Sequence, residues 1–296
     1  MKKKICFLGL SGSGKTCYKY AVCDALSSGM PIGNHVISIT CTSLQQQIKL
    51  NEGIELIMAN KVWPDGSNAT DIYPFELRLD SKTIGEFELF DYAGGLLYIT
   101  SDQIQDKFKK LLEGVFKESS CIVYFIDGVT LLHSLPNESL SQKHINSITL
   151  HQQTKARNRI KYIEPLLLEV CKNRNLPILL TITKRDVFSP DELEKALHFL
   201  HNLLPSLFSR NNDKVIGVTT ITLGDNLQNI DKKISGNINI SPKGNIHIPL
   251  LFALFQTVDF FNVDSPDLSE VKEIAKKIFS PDKIKFYIGG ELALAI

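Results

Sequence analysis

The stretch Gly9-Leu-Ser-Gly-Ser-Gly-Lys-Thr16 decides the fold of this chain. Residues 4–8 form a short, mainly apolar run before it, the kind of run that predicts a buried strand. After it, Tyr18, Val22 and Leu26 recur at the spacing of one helical face. The pattern therefore predicts a strand, a glycine-rich loop and a helix in direct succession.

The glycine-rich loop fits the pattern G-x-x-x-x-G-K-[ST], which binds phosphate groups when it lies between a strand and a helix. Its glycines let the backbone curl, so that successive N–H groups and the helix N-terminus point at phosphate oxygens. Lys15 would bridge the outer phosphates and the Thr16 hydroxyl would bind Mg²⁺. The residues predicted to hold a nucleotide here are Ser11, Gly12, Ser13, Gly14, Lys15, Thr16 and Cys17.

The composition describes an ordinary globular protein. Its 33 basic and 32 acidic residues nearly cancel, so charge predicts no nucleic-acid partner. The six cysteines form no CxxC pair and the seven histidines show no zinc-binding spacing, which indicates reduced thiols in a cytoplasm. The apolar run near the N-terminus is too short for a signal peptide, and no stretch approaches the roughly 18 residues that a membrane helix needs. We expect a cytoplasmic protein without a membrane span, and a dimer is left open.

Alternating strand and helix patterns predict a doubly wound α/β fold with a mostly parallel sheet. Phe75–Leu79 and Glu86–Phe90 alternate apolar with polar residues around a polar turn, which predicts one antiparallel hairpin arm. The continuous apolar runs typical of buried parallel strands are Cys121–Ile126, Leu176–Ile182 and Val215–Ile221. Helical patterns cover residues 43–61, 101–118, 148–174, 191–208 and 249–262, and a second small hairpin is predicted within residues 237–248.

Two further motifs follow predicted strands. Asp91-Tyr-Ala-Gly94 fits D-x-x-G, and Thr183-Lys-Arg-Asp186 fits [NT]KxD. Each is common by chance, and the glycine-rich loop alone does not choose among chemistries, because the string GLSGSGKT is as typical of small-molecule kinases as of GTPases.

The order of the three motifs resembles that of the Ras-like, TRAFAC-class P-loop GTPases. Three strings resemble the bacterial double-GTPase-like branch of that class: Trp63-Pro-Asp-Gly-Ser-Asn-Ala-Thr70, Asp91-Tyr-Ala-Gly-Gly95 and Asn245-Ile-His-Ile-Pro-Leu250. The resemblance implies a GTP- or GDP-binding protein that uses Mg²⁺.

The resemblance also implies roles for single residues. Asp91 would hold Mg²⁺ through water, the Gly94 N–H would sense the γ-phosphate, and Thr70 would be the threonine of switch I. The predicted catalytic residues are thus Lys15, Thr70 and Gly94, and the predicted metal-binding residues are Thr16, Thr70 and Asp91. For guanine binding, Thr183 is the first residue of the TKxD motif, the Lys184 stem would cover the base, and Asp186 would accept hydrogen bonds from the N–H groups of the base. Thr220 loosely resembles the fifth motif of the class.

The resemblance spans residues 1–262, with insertions expected at about 30–62, 128–148 and 224–248. Residues 263–296 are expected to form a helical C-terminal extension. An effector or activating protein would bind through switch segments near residues 63–70 and 91–100.

The chain departs from the Ras pattern where hydrolysis is concerned. Gly95 follows the D-x-x-G motif, where Ras-like enzymes carry a glutamine that orients water, and Ser11 replaces a glycine. No arginine lies immediately before Thr70 to act as a finger in cis. We therefore expect a switch protein with slow, Mg²⁺-dependent hydrolysis. The alternatives are a scaffold that binds GTP or GDP without hydrolysing it, and a small-molecule kinase.

Overall fold

The strand that precedes the glycine-rich loop lies at the centre of the sheet. The computed structural model describes residues 3–32, 34–65, 70–94, 118–171, 176–212, 214–240, 244–257 and 278–293. In it, strand β1 (Lys3–Gly9) is parallel to β5 (Lys82–Asp91) on one side and to β6 (Cys121–Ile126) on the other. Because these three strands are parallel, their carboxyl ends meet at one edge of the sheet.

Ten of the described strands form one mixed sheet, in the order β12-β11-β8-β7-β6-β1-β5-β4-β3-β2. Its other strands are β2 (Met30–Ile32), β3 (His35–Cys41), β4 (Asp71–Leu79), β7 (Ile178–Ile182), β8 (Ile216–Thr220), β11 (Ile284–Ile288) and β12 (Glu291–Ala293). The five central strands, from β8 to β5, are parallel. All residues of β6, β7 and β8 are buried, which explains their continuous apolar sequences.

Helices cover both faces of the sheet. They are α1 (Lys15–Ser27), α2 (Leu44–Met58), α3 (Gly128–Ser134), α4 (Gln142–Ile145), α5 (Leu150–Lys161), α6 (Glu164–Cys171), α7 (Pro190–Leu203) and α8 (Ile248–Thr257). Tyr18, Leu50 and Phe252 bring α1, α2 and α8 into one apolar core. A second core on the opposite face holds α3, α5, α6 and α7, with Leu131 and Leu200 among its members. This arrangement confirms the predicted α/β fold class.

The structure also confirms the predicted hairpin, since β4 and β5 pair antiparallel from Asp71 and Asp91 at one end to Leu79 and Lys82 at the turn. It adds antiparallel strands at both edges of the sheet, which were not all predicted. Within residues 30–62, β2 and β3 extend the sheet beyond β4, and α2 follows β3 in the chain. No helix in the described part of the chain is long and apolar enough to cross a membrane.

Three sequence predictions need correction. The pattern at 148–174 is two helices, because Pro165 cannot sit inside a continuous helix and instead lies in the first turn of α6, which begins at Glu164. The small hairpin predicted within 237–248 lies earlier, as β9 (Gly224–Ile230) and β10 (Lys233–Ile238). The predicted helix at 101–118 falls almost entirely outside the described residues.

The third correction concerns the C-terminal segment, which the sequence predicted as a helical extension over 263–296. Its described end forms strands β11 and β12, and β11 pairs antiparallel with β8. Ile284 and Phe286 are buried, whereas Lys285 and Tyr287, each following one of them, are only partly buried, which is the alternation of a strand. This end of the chain is therefore part of the main sheet.

Phe286→Ala tests whether the C-terminal strands belong to the core. Phe286 is 6% exposed and lies 5.9 Å from the Phe252 ring of α8, between ring centroids. The substitution should lower the free energy of unfolding by about 3–5 kcal/mol because it removes a buried aromatic ring. Urea unfolding measures this loss. Ile288→Ala, on the same strand but at a 43% exposed position, should cost less than about 1 kcal/mol, and equal losses would contradict the assignment.

Candidate functional site

The glycine-rich loop joins β1 to α1 through two left-handed glycines. Gly12 has φ 81° and Gly14 has φ 82°, conformations that residues with a side chain rarely adopt. The Ser13 N–H donates to the Leu10 carbonyl at 3.1 Å and closes the turn. Gly14 caps α1 without a side-chain hydrogen bond, so the first backbone N–H groups of the helix remain directed at the loop. The loop therefore has the form of an anion-binding cradle.

The D-x-x-G motif packs directly on this loop. A Cβ atom at Gly94 would lie 2.6 Å from the Gly9 carbonyl oxygen and 2.7 Å from the Ser11 nitrogen. Only glycine fits so close to another backbone segment. Gly94 is thus placed at the Ser11 side of the loop.

Asp91, at the end of β5, is the electrostatic centre of the site. Its carboxylate pairs with the ammonium groups of Lys15 and Lys19, the latter at 2.8 Å, and it is 1% exposed. Burial would raise the pKa of this carboxyl, but the two ammonium groups outweigh burial and lower the pKa below its usual value. Asp91 therefore remains charged in a buried position.

Lys19 is a site residue that the motifs did not identify. It is 1% exposed, its ammonium donates to the Tyr73 hydroxyl at 3.0 Å, and it lies 4.4 Å from the centroid of the Tyr20 ring. Burial would lower its pKa, but Asp91 reverses this and raises the pKa above the usual lysine value. The available signal was its spacing, because a residue four positions after Lys15 lies on the same face of α1.

The third motif is fastened to the glycine-rich loop by Thr183. Its hydroxyl donates to the Ser13 carbonyl at 2.8 Å and is 3.3 Å from the Ile126 carbonyl. Lys184 follows in the left-handed conformation, with φ 53°, and its ammonium lies 2.7 Å from the Asp127 carboxylate. Residues distant in sequence thus hold the loop after β7 against the loop after β1.

A cavity of about 380 Å³ opens beside these two loops. Its lining includes loop residues, both ends of the TKxD motif and an apolar wall: Gly12, Gly14, Cys17, Tyr18, Trp63, Pro64, Val129, Thr183, Lys184, Asp186, Val187, Ile221, Thr222, Leu223, Leu227 and Asn229. Burial raises the pKa of the Cys17 thiol to about 12, so it is uncharged at neutral pH. The volume is within the range of about 300–1,000 Å³ that small-molecule pockets occupy.

The loop after β8 reaches this cavity two residues later than the sequence predicted. Thr220 ends β8, is 8% exposed and is not part of the cavity lining; its carbonyl faces Asn245. Thr222 lines the cavity instead, and its hydroxyl lies 3.0 Å from the Asp186 carboxylate. The resemblance to the fifth motif was too loose to choose among the three threonines of the run Thr219-Thr-Ile-Thr222.

The hairpin β9–β10 walls the cavity from outside the parallel sheet. Leu227 of this hairpin and Trp63 both line it. The backbone N–H of Trp63 donates to the Lys232 carbonyl at 2.9 Å, and the backbone N–H of Ile234 donates to the Lys61 carbonyl at 2.7 Å. The hairpin therefore holds the segment that leads toward Thr70.

Thr70 lies at the same edge of the sheet as Asp91. It precedes β4, whose first residue, Asp71, is the register partner of Asp91. Ser11, at the other side of the loop, is exposed. The rest of the two expected switch segments, residues 66–69 and 95–100 including Gly95, lies outside the described residues.

The loop fits a phosphate group. Two buried ammonium groups share one buried carboxylate, which leaves a net positive charge that an anion would neutralise. The Ser13 hydroxyl is buried and has no hydrogen-bond partner within the described residues. For Mg²⁺, the Asp91 carboxylate and the Thr16 hydroxyl are oxygen donors of the type that this cation prefers. Lys15 would have to leave Asp91 for the phosphates before that carboxylate could face a cation.

Comparison with known proteins gives no close relative. No protein-family model and no curated protein matches the chain. Similar solved structures include translation elongation factor SelB from Methanococcus maripaludis in complex with the GTP analogue GppNHp, at 10% identity and TM-score 0.39 over 87% of this chain and 35% of that one. Sup35 complexed with GDP gives 9% identity and TM-score 0.33 over 75% and 38%, and the G domain of the T. maritima FeoB iron transporter gives 14% and 0.29 over 75% and 88%. The chain spans little more than a third of the first two proteins, so what it binds must be inferred from its own residues.

Lys19→Met should destabilise the protein, because Asp91 would lose one of its two buried partners. We expect the free energy of unfolding at pH 7 to fall by about 1.5–3 kcal/mol, the cost of a lost hydrogen bond to a charged group, since Lys15 still pairs with Asp91. At this pH both groups are charged. Because the Lys19 pKa is raised, the stabilisation from Lys19 is lost only when the pH rises through that pKa. Because the Asp91 pKa is lowered, the stabilisation from Asp91 is lost only when the pH falls through that pKa. Chemical denaturation provides the measurement. Lys49→Met breaks an ion pair with Asp71 whose side chains are 44% and 32% exposed, so it should cost less than about 1 kcal/mol, and a loss as large as that of Lys19→Met would refute the argument.

Thr222→Val tests which threonine supports Asp186. Removal of a hydrogen bond to a charged group costs about 1.5 kcal/mol, so we expect the ratio of GTP to ATP affinity to fall by roughly tenfold. Thr220→Val serves as the matched control and should leave the ratio within about twofold, since Thr220 lies outside the cavity lining. Isothermal titration of both nucleotides measures the ratios. A larger effect at Thr220 would restore the position predicted from sequence.

Proposed function

We propose that this protein is a GTP-binding switch protein that hydrolyses GTP slowly with Mg²⁺ and regulates a protein partner. The observation that carries the proposal is the bond from the Thr183 hydroxyl to the Ser13 carbonyl at 2.8 Å. It joins a phosphate-binding loop to a loop that presents Asp186 to the same cavity. A single nucleotide could therefore contact both.

The phosphates would lie along the glycine-rich loop. Lys15 would exchange its bond with Asp91 for one with the outer phosphates, and Lys19 would keep the Asp91 charge paired after that exchange. The loop N–H groups and the start of α1 would supply further donors. Mg²⁺, when bound, would neutralise negative charge on the β- and γ-phosphates.

The base would lie in the cavity. Asp186 is exposed to it, and a carboxylate can accept both the N1–H and the 2-amino group of guanine, whereas adenine offers no such pair of donors. The Lys184 stem also lines the cavity, and its ammonium is held aside by Asp127. These contacts favour guanine over adenine.

The switch would depend on segments that meet the γ-phosphate end of the loop. Gly94 already touches the loop backbone at Gly9 and Ser11, so a γ-phosphate bound there would meet the D-x-x-G segment directly. Thr70 lies at the same edge through the β4–β5 pairing. A protein partner that contacts the segments near 63–70 and 91–100 would then distinguish GTP from GDP.

Slow hydrolysis follows from the residue after Gly94. Gly95 has no side chain that could orient the attacking water. The remaining contribution would come from positioning and charge, through Lys15, the loop N–H groups and Mg²⁺.

The test is a set of GTP, GDP and ATP affinities with Mg²⁺, measured for the wild type, Lys15→Ala and Asp186→Asn. Lys15→Ala should weaken GTP binding by at least about tenfold, because a charge-assisted contact is lost, and Lys19 would still pair with Asp91 and preserve the fold. Asp186→Asn should reduce the preference for GTP over ATP by at least about tenfold, because an amide cannot accept both guanine N–H groups.

Asp191→Asn is the matched control for the second variant, since it removes a carboxylate five residues away whose side chain is 74% exposed and outside the cavity lining. It should leave all three affinities unchanged. Tight GTP binding by Lys15→Ala would remove the phosphate assignment, and an unchanged nucleotide preference in Asp186→Asn would remove the guanine assignment. A phosphate-transfer assay with the wild type separates hydrolysis from kinase activity.

A further inference from the structure

An arginine from a distant helix reaches the glycine-rich loop. The Nη2 group of Arg159, on α5, donates to the Ser11 carbonyl at 2.8 Å. The motif pattern gave no reason to expect this contact, because the two residues are 148 positions apart in the chain. Such a contact exists only once the fold has brought α5 over the loop.

Helix α5 is held firmly at the base of this side chain. Thr149 and Gln152 form a capping box at its start, and Ala156 and Ile160 are buried against the second core. The Arg157 guanidinium donates to the Ser134 carbonyl of α3 at 2.7 Å. The backbone at Arg159 is therefore fixed by packing and hydrogen bonds other than its own bond to the loop.

The position of Ser11 indicates which phosphate Arg159 would meet. The base cavity opens beside Gly12, Gly14 and Cys17, which puts the nucleoside on that side of the loop. Gly94 packs on the Ser11 backbone, as described above, so Arg159 and Gly94 approach the same residue. In the proposed function this is the γ-phosphate end of the site.

We propose that Arg159 is a catalytic arginine supplied in cis, whose guanidinium contacts γ-phosphate oxygens of GTP during hydrolysis. This inference rests on the proposed function. A guanidinium stays charged throughout, presents its N–H groups in a planar fork that matches phosphate oxygens, and stabilises the charge that develops in the transition state. It would fill the role that an arginine before Thr70 would otherwise fill.

The chemical step is the attack of water on the γ-phosphorus. A bond forms from the water oxygen to phosphorus, and the bond from phosphorus to the β,γ-bridging oxygen breaks with its electron pair going to GDP. The proton released by the water ends on the inorganic phosphate or in solvent. Arg159 takes no proton, and its contribution is electrostatic.

A purely structural role for Arg159 predicts different behaviour. If Arg159 only held the glycine-rich loop in place, its removal would weaken the binding of GTP and GDP together. The hydrolysis rate would then fall only because the loop is less ordered. A catalytic role predicts that nucleotide affinity is retained and the hydrolysis step is lost.

The experiment measures single-turnover GTP hydrolysis by the full chain, together with GTP and GDP affinities, for the wild type, Arg159→Ala and Arg159→Lys. We expect Arg159→Ala to lower the hydrolysis rate by about 100-fold or more, and Arg159→Lys to recover only part of it, because a single ammonium lacks the fork. GDP affinity should stay within about threefold of the wild type, since GDP lacks the γ-phosphate.

A second readout is the binding of GDP with aluminium fluoride, which imitates the transferring phosphoryl group. Wild-type protein with bound GDP should bind aluminium fluoride, and Arg159→Ala with bound GDP should not. Loop disorder alone would not give this result, because a disordered loop would also weaken GDP binding. Lys155→Ala and Lys161→Ala each remove one positive charge from exposed positions of the same helix and should behave as the wild type.

Three results would overturn the proposal: hydrolysis by Arg159→Ala within about threefold of the wild type, parallel loss of GTP and GDP affinity, or a wild type that binds GTP without hydrolysing it. In the last case GTP binding stands and only the catalytic arginine falls. A wild type with no affinity for GTP would instead refute the proposed function itself. Where Arg159→Ala does not fold, Arg159→Lys decides, because it keeps the charge and the length of the side chain.

Discussion

The buried carboxylate of Asp91, shared by two lysines, is the interaction on which the site depends. A charge that is 1% exposed persists only when it is paired, and here the pairing draws together α1 and the end of β5. The arrangement contains one more positive charge than negative. Such an excess is costly in a protein interior, and a bound anion relieves it. Lys19 adds a second consequence, because its bond allows Lys15 to leave Asp91 without stranding a buried carboxylate.

The parallel centre of the sheet explains how three motifs from distant parts of the chain meet. Strands β1, β5, β6, β7 and β8 are parallel, so the loops after their carboxyl ends share one edge. The glycine-rich loop, the D-x-x-G segment and the TKxD segment each follow one of these strands. Direct contacts then fix their relative positions: Gly94 packs on the backbone near Ser11, and the Thr183 hydroxyl binds the Ser13 carbonyl.

The parts of this fold that could be predicted from sequence are those with local signals. Continuous apolar runs marked the buried strands, and the glycine and lysine spacing marked the loop, because both follow from backbone geometry over a few residues. Lys19, Thr222 and Arg159 were missed since their importance comes from contacts with residues far away in the chain. The C-terminal strands show the same limit: their short alternating pattern acquires meaning only when β8 offers an edge to pair with.

The hairpin expected as an insertion at about 224–248, and helix α5, which follows the insertion expected at 128–148, both contact the candidate site. The β9–β10 hairpin binds the backbone around Trp63 and lines one wall of the cavity, while the α3–α5 region brings Arg159 to the opposite end of the loop. The hairpin and helix α5 thus contact the loop region from the cavity side and from the Ser11 side. Asp127, the N-cap of α3, pairs with Lys184, and the Arg157 guanidinium of α5 donates to the Ser134 carbonyl at the end of α3, so a short series of contacts joins the cavity to the helix that carries Arg159.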